Sequence, residues 1–348
     1  MNAIQTIITE RVDDIPLLLN QMQQMALPAL IDRHFPAHGN WQGLSLGWVC
    51  TIWLSSIVSR GDHRLVHVEP WVVSRLLTFR TVTGQRVERT DVTDDRLERV
   101  LRHLSDDTRW TQFEHALNQH TLRVYDLSCQ RVHVDSTTAS AHNLVSEGGV
   151  FQCGHSKDHR PELPQVQVMQ AVLDPLGMPV ATDVVSGERA DDPLYVPCIQ
   201  RVQESLGQGG LLFVGDCKMA SRETRAFIAS RGDFYLCPLP QVQLAEGELE
   251  EAIEAIRTGE HALLPVFRTS ASDEPELIAE GFERQEPMQV EVAGNPQHWT
   301  ERRLVIRSRG HAQAAEAALR ARVATAQAQV EALNWRGRGR KRFAALDD

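Results

Sequence analysis

The chain has no paired cysteines. Its six, Cys50, Cys129, Cys153, Cys198, Cys217 and Cys237, are scattered through 348 residues without a single CxxC. That pattern excludes a four-cysteine zinc module and argues against a disulfide framework. Long apolar runs are also missing. The most apolar stretch, 44–58, is broken by Ser45, Gly47, Thr51, Ser55 and Ser56. It falls short of the roughly 20 residues a membrane span needs, so a buried helix is the expectation. The start, MNAIQTIITERVDD, has no basic head, apolar middle or small-residue cleavage site. A cytoplasmic protein without a membrane partner is therefore expected. A basic surplus is lacking too: 36 Lys and Arg stand against 46 Asp and Glu, a net charge of −10. This excludes simple coating of nucleic acid by bulk charge, but not a local basic surface. There is no internal repeat.

What is present describes an ordinary soluble globular chain. At 42% hydrophobic and 24% charged residues it can build a sizeable core, divided into two or three structural units. Residues 1–125 read as helical, with apolar spacing over 15–31, 44–58 and 66–79 and a break at 36–40. Thr93 to Leu97 looks like a capped helix start, followed by the stripe Leu97, Val100, Leu101, Leu104. Near Tyr125 the character changes. Strands are expected at 131–135, 165–174, 178–185, 211–214 and 234–236, with Asp174-Pro175-Leu176-Gly177 turning the second into the third. Helices are expected at 193–206 and 221–231. The fold class is α/β, a mixed sheet covered by helices over 126–240. Residues 241–310 are richer in Glu, Gly and Pro, with strands at 288–292 and 303–306 around an Asn-Pro turn. A helix over 311–333 carries Leu319, Val323, Val330 and Leu333 on one face and is expected to pack against its own domain. The basic run 336–342 follows. From 301 to 348 eleven Lys and Arg face only five acids, so the acidic surplus lies elsewhere.

Asp135 and Asp216 are the informative pair. Each is expected to end an apolar strand and is followed by small or polar residues. If the two strands are neighbours, both carboxylates emerge at one end and repel each other. A divalent cation relieves that repulsion, and oxygen ligands suit Mg²⁺ or Mn²⁺. Such ions activate a water or hydroxyl in phosphodiester chemistry. The competing reading, a turn residue or helix cap, stays open on spacing alone. Asp174 is turn chemistry and Asp183 lies within a strand. Cys153, His155 and His159 have C-x-H-x3-H spacing with no second pair, a poor zinc set. Gly207-Gln208-Gly209-Gly210 lacks the Lys-Ser/Thr of a phosphate loop.

Gly154-His155-Ser156-Lys157-Asp158-His159-Arg160-Pro161-Glu162-Leu163-Pro164-Gln165 resembles the G-x-SKD-x-R-x-D/E-x-x-Q segment of bacterial insertion-sequence transposases of the DDE type. Val134-Asp135-Ser136-Thr137 and Leu212-Phe213-Val214-Gly215-Asp216 are similar to that family's first and second metal-binding aspartates. Val185 to Asp191 stands where its G-N-x-x-D-like turn falls. Ala29 to Pro36 and Thr93 to Leu97 match pieces of its helical domain. The resemblance covers nearly the whole chain. It implies an RNase H-like sheet flanked by helices (126–240), an N-terminal helical domain binding DNA ends (1–125), a β-rich insertion (241–310) and a helix with a basic tail (311–348). It further implies metal-dependent cleavage and joining of double-stranded DNA by a homodimer. Asp135 and Asp216 would hold Mg²⁺ or Mn²⁺, and Lys157, Arg160 and Lys218 would contact phosphates.

The family's third carboxylate, in a Y-x2-R-x3-E-x6-K segment, has no counterpart. None of the three tyrosines (Tyr125, Tyr195, Tyr235) is followed by Arg and Glu at those spacings. Glu316 and Glu331 sit at the right stage of the chain but in the wrong surroundings. A C-terminally truncated transposase is the expectation. A non-catalytic DNA-binding remnant or repressor, and a metal-dependent RNase H-like nuclease, are the alternatives.

Overall fold

The computed structural model describes residues 9–269, 275–292 and 294–333; the basic run 336–342 lies outside them. Two compact units meet in sequence at Pro238 and Leu239. Among the described residues no helix is long and apolar enough to cross a membrane.

The first unit opens with helices α1 (Ile15–Gln24), α2 (Leu27–His34), α3 (Leu46–Arg60), α4 (Val68–Val73), α5 (Leu76–Thr83), α6 (Asp94–Leu104) and α7 (Asp107–Val124). The apolar 44–58 run is α3, whose Val49, Cys50, Ile52 and Trp53 are buried at the centre of the helical core. Its start is built by Asp32 of α2. The Asp32 carboxylate accepts the Gly47 N–H at 2.6 Å and the Ser45 hydroxyl at 2.7 Å, satisfying donors that every helix start leaves free. A Cβ at Gly47 would lie 2.0 Å from the Pro28 carbonyl oxygen, so only glycine lets α2 and α3 come this close. Thr93 is the N-cap of α6 by position, but its side chain makes no capping bond. Leu97 and Val100 face the core, and Leu101 is 43% exposed.

The sheet follows: β1 (Arg131–Ser140), β2 (Gln165–Leu173), β3 (Met178–Ser186), α8 (Tyr195–Leu206), β4 (Leu212–Gly215), α9 (Arg222–Ser230) and β5 (Phe234–Leu236). The strand order is β3-β2-β1-β4-β5. β1, β2 and β3 are antiparallel to one another, while β4 and β5 run parallel to β1. Val132, Val134, Met169, Ala171 and Phe213 point to one face and share a core with residues of α7, α8 and α9. On the opposite face Val184, Phe234 and Leu236 are 56%, 62% and 49% exposed.

Two expectations need correction here. β1 does not end at Asp135 but continues to Ser140, because β2 supplies antiparallel partners as far as Ser140↔Gln165. The polar run Ser136-Thr137-Thr138 resembles a strand end, although threonine suits a strand. Nor does the chain part into two bodies near Tyr125. Phe113 of α7 lies in the helical core and Leu122 packs against the sheet core. Asn118 donates to the Val180 carbonyl at 2.7 Å, and Glu114 accepts the Thr182 N–H at 3.0 Å. The helical part and the sheet are thus one unit.

The second unit contains α10 (Glu248–Arg257), an antiparallel sheet in the order β6-β7-β8 (Leu264–Thr269, Pro275–Val292, Asn295–Ser308) and α11 (Arg309–Leu333). The β-rich reading of this region agrees with that sheet, but its strands are far longer than expected. Asn295-Pro296 lies inside β8 rather than in the turn. The expected packing of α11 is also corrected: Leu319, Val323, Val330 and Leu333 are 57%, 47%, 61% and 69% exposed. Alanine-rich sequence holds a helix by its own propensity, with little help from packing.

Candidate metal and DNA site

Pairing between β1 and β4 ends at Val134↔Gly215. Asp135 and Asp216 are the next residues on these parallel neighbours, whose backbones run about 4.8 Å apart. The pair therefore arises from register, with Asp135 in mid-strand and Asp216 just past the end of β4. Both are exposed. Asp135 Oδ1 accepts the Ser136 N–H at 2.7 Å. Asp216 Oδ1 accepts two bonds, from the Tyr195 hydroxyl at 2.7 Å and the Lys218 N–H at 2.8 Å. Each carboxylate is thus anchored by one oxygen, and its Oδ2 has no hydrogen-bond partner among the described residues.

Tyr195 was not among the expected site residues. It opens α8 and is wholly buried. Burial pushes its hydroxyl far above the usual phenol range, and the hydrogen bond to Asp216 and the charges of Asp216, Asp135 and Asp191 add to this. It is a fixed donor. The only trace in the sequence is a tyrosine one turn past Asp191, behind a proline that starts the helix.

The 154–165 segment closes over this corner. A Cβ on Gly154 would meet the Gly187 carbonyl oxygen at 2.1 Å, and one on Gly187 would meet the Gln165 carbonyl oxygen at 2.0 Å. Gln165 donates to the carbonyls of His155 at 3.0 Å and Gly187 at 2.9 Å. The two glycines of the matched motifs therefore let three backbone stretches touch. Lys157 donates to the carbonyl and, at 2.7 Å, to the hydroxyl of Ser136, the residue after Asp135. Its ammonium also lies 3.6 Å from Asp191, which accepts from Gln167. Lys157 thus stands beside Asp191 and the residue that follows Asp135, with protein partners already in place. Arg160 is not gathered into this corner: it faces Glu162 at 3.4 Å and is 54% exposed. Lys218 is exposed and adjoins the pair through its backbone.

Two exposed carboxylates with one free oxygen each fit Mg²⁺ or Mn²⁺, ions that keep several waters and need only one or two protein carboxylates. Among the described residues no group of three or more His, Cys, Asp or Glu side chains is placed to hold a metal. This applies equally to the Cys153-His155-His159 set and to a third carboxylate. Glu316 pairs with Arg320 on α11 at 2.6 Å, and Glu331 is exposed on the same helix.

No family model matches the chain, and no curated protein matches it. Among solved structures it is similar to a Mos1 transposase paired-end complex with the left transposon end. Identity there is 9% over 72% of this chain and 85% of that one, with a TM-score of 0.23. A piggyBac transposase synaptic complex with hairpin DNA shares 7% identity over 82% of this chain and 60% of that one, at TM-score 0.34. Endonuclease V of Ciona intestinalis, in complex with DNA containing inosine, shares 8% identity over 50% and 75%, at TM-score 0.20.

Proposed function

We propose that this chain is a transposase of a bacterial insertion sequence that contributes two metal-binding aspartates and DNA contacts to a DDE-type reaction. The observation that carries this reading is the register of β1 and β4. It sets Asp135 and Asp216 side by side, in the chain order and sequence setting of the family's first two aspartates. Asp135 and Asp216 would hold Mg²⁺ or Mn²⁺ through their free oxygens. When bound, such an ion neutralises phosphate charge and lowers the pKa of an attacking water or hydroxyl. Tyr195 and two backbone N–H groups fix where the carboxylates point. Lys157 holds the 154–165 segment against β1 and places positive charge beside a DNA phosphate, with Arg160 and Lys218 reaching phosphates farther out. The DNA-bound form is a homodimer that brings two ends together.

A second reading is a DNA-binding protein that does not complete strand transfer, since none of the three tyrosines in this sequence is followed by Arg and Glu at the family's spacings. Titration with Mn²⁺ followed by electron paramagnetic resonance tests the site. Asp135→Asn and Asp216→Asn should each bind at least about tenfold more weakly than wild type; equal affinity in all three removes the pair from the metal shell. On a supercoiled plasmid carrying the element's ends, wild type with Mg²⁺ or Mn²⁺ is expected to nick little. Robust nicking that vanishes in Asp135→Ala would show that the chain is catalytically sufficient.

A further inference from the structure

The loop between α2 and α3 and one side of α6 form a cleft of about 320 Å³ whose lining includes Arg96, Arg99, Arg102, His38, Trp41 and His103, and no carboxylate. The four α6 residues stand at i, i+3, i+6 and i+7. That spacing puts them along one flank of the helix, bordering the side on which Leu97 and Val100 enter the core. Arg96 forms the wall. Its guanidinium carbon lies 3.8 Å from the centre of the Trp41 ring, and Trp41 meets the edge of His103 at 5.9 Å. Arg96 Nη2 donates to the carbonyls of Gln42 at 2.6 Å and Leu44 at 3.2 Å, while its Nε is buried without a protein partner. Burial pushes the Arg96 guanidinium below its ordinary value; Asp91 opposes this and the like charge of Arg99 adds to it. Arg99 itself has no hydrogen-bond or ion-pair partner among the described residues. Arg102 makes an exposed pairing with Glu98 one turn back.

With Asp91 acting on Arg96 and Glu98 paired to Arg102, Arg99 is the guanidinium left without a counter-charge, in a cleft that no carboxylate lines, and it calls for an anion. Arg96 and Arg102 are separated by about 9 Å along the helix axis, enough to reach two neighbouring phosphates of one DNA strand. A single small oxyanion would leave part of that row unmatched. We propose that this face of α6 binds the phosphate backbone of DNA, an inference that rests on the reading of the chain as a DNA-acting protein. It contacts phosphates and not base edges, so it contributes affinity rather than sequence choice.

The test is fluorescence anisotropy of the full chain with a 20-base-pair duplex of arbitrary sequence (about two helical turns), between about 50 and 200 mM salt. Arg99→Ala and Arg102→Ala should each weaken binding about 5–10-fold and flatten the slope of log K against log salt by about 0.9. Arg99→Lys should keep most of the affinity, because an ammonium still neutralises a phosphate as a point charge. Arg86→Ala, an 88% exposed arginine outside the cleft, should bind as wild type does. Cleft variants matching wild type, or Arg86→Ala losing as much as they do, would overturn the proposal. So would weakened binding of inorganic phosphate with unchanged binding of DNA, which would assign the cleft to a small oxyanion. If the wild-type chain binds no duplex, the DNA-acting reading falls as well; if it binds and only the cleft variants are silent, this cleft alone is excluded.

Discussion

Tyr195 contributes one hydroxyl to the carboxylate corner, and that hydroxyl decides which oxygen of Asp216 remains free. Outer groups that orient a metal-binding carboxylate are commonly worth 10–100-fold in metal affinity. Tyr195→Phe keeps the buried ring and removes only the donor. It should weaken Mn²⁺ binding about tenfold while shifting the melting temperature by only a few degrees. A melting shift with unchanged Mn²⁺ affinity would reduce Tyr195 to a packing residue. At this scale Asp135, Asp216 and Lys157 are legible in the sequence as candidates, because each lies in a short motif of distinctive order. Tyr195 is not, since nothing local distinguishes a buried tyrosine at a helix start from one that reaches a carboxylate. Asp191 falls between: its motif is visible, but its bond to Gln167 and its approach to Lys157 depend on how β2 and the 154–165 segment meet.

At the scale of elements, the glycines of the 154–165 segment and of the turn after β3 have a single purpose, close contact of backbones. Gly187→Ala would drive a methyl group into the carbonyls of Gln165 and Gln152, at 2.0 and 2.8 Å. Neither backbone can yield without shifting β2 or the segment above it. A loss of about 1–3 kcal/mol is expected in urea unfolding, accompanied by faster proteolysis of 154–165 in the native state. Unchanged protection of that segment would show that the contact does not hold it down. Strand extent was less legible than strand existence. β1 outruns its apolar part because a neighbouring strand continues to pair with it, and β7 and β8 lengthen each other in the same way. The charges of α6 give the complementary case. Counted along the sequence, the arginines of 75–109 nearly cancel against acids; on the folded helix Arg96, Arg99 and Arg102 share a cleft that no carboxylate lines.

At the scale of the molecule, α7 binds the helical part to the sheet, and Arg201 of α8 secures that bond. Its guanidinium pairs with Glu114 of α7 and Asp183 of β3, with all three side chains largely buried. Burial pushes Glu114 upward and wins over the opposing pull of Arg201. Arg201→Ala would leave both carboxylates without their cation. It should cost about 2–3 kcal/mol, less than the 3–5 of a fully buried pair, and should be visible through tryptophan fluorescence, to which Trp41, Trp48, Trp53, Trp71 and Trp110 of the helical part contribute, as well as by loss of sheet signal in circular dichroism. Loss confined to one probe would show that the two parts unfold separately. The sequence alone determined the mixed α/β sheet and the order of its strands and helices along the chain, and it singled out two aspartates as candidates, because periodicity and short motifs are local properties. Tertiary structure decided the rest: the register that joins Asp135 to Asp216, the donor that orients Asp216, the fusion of helices and sheet through α7, and the sorting of charge on α6. Each of these depends on contacts between residues far apart in the chain, and no local pattern encodes them.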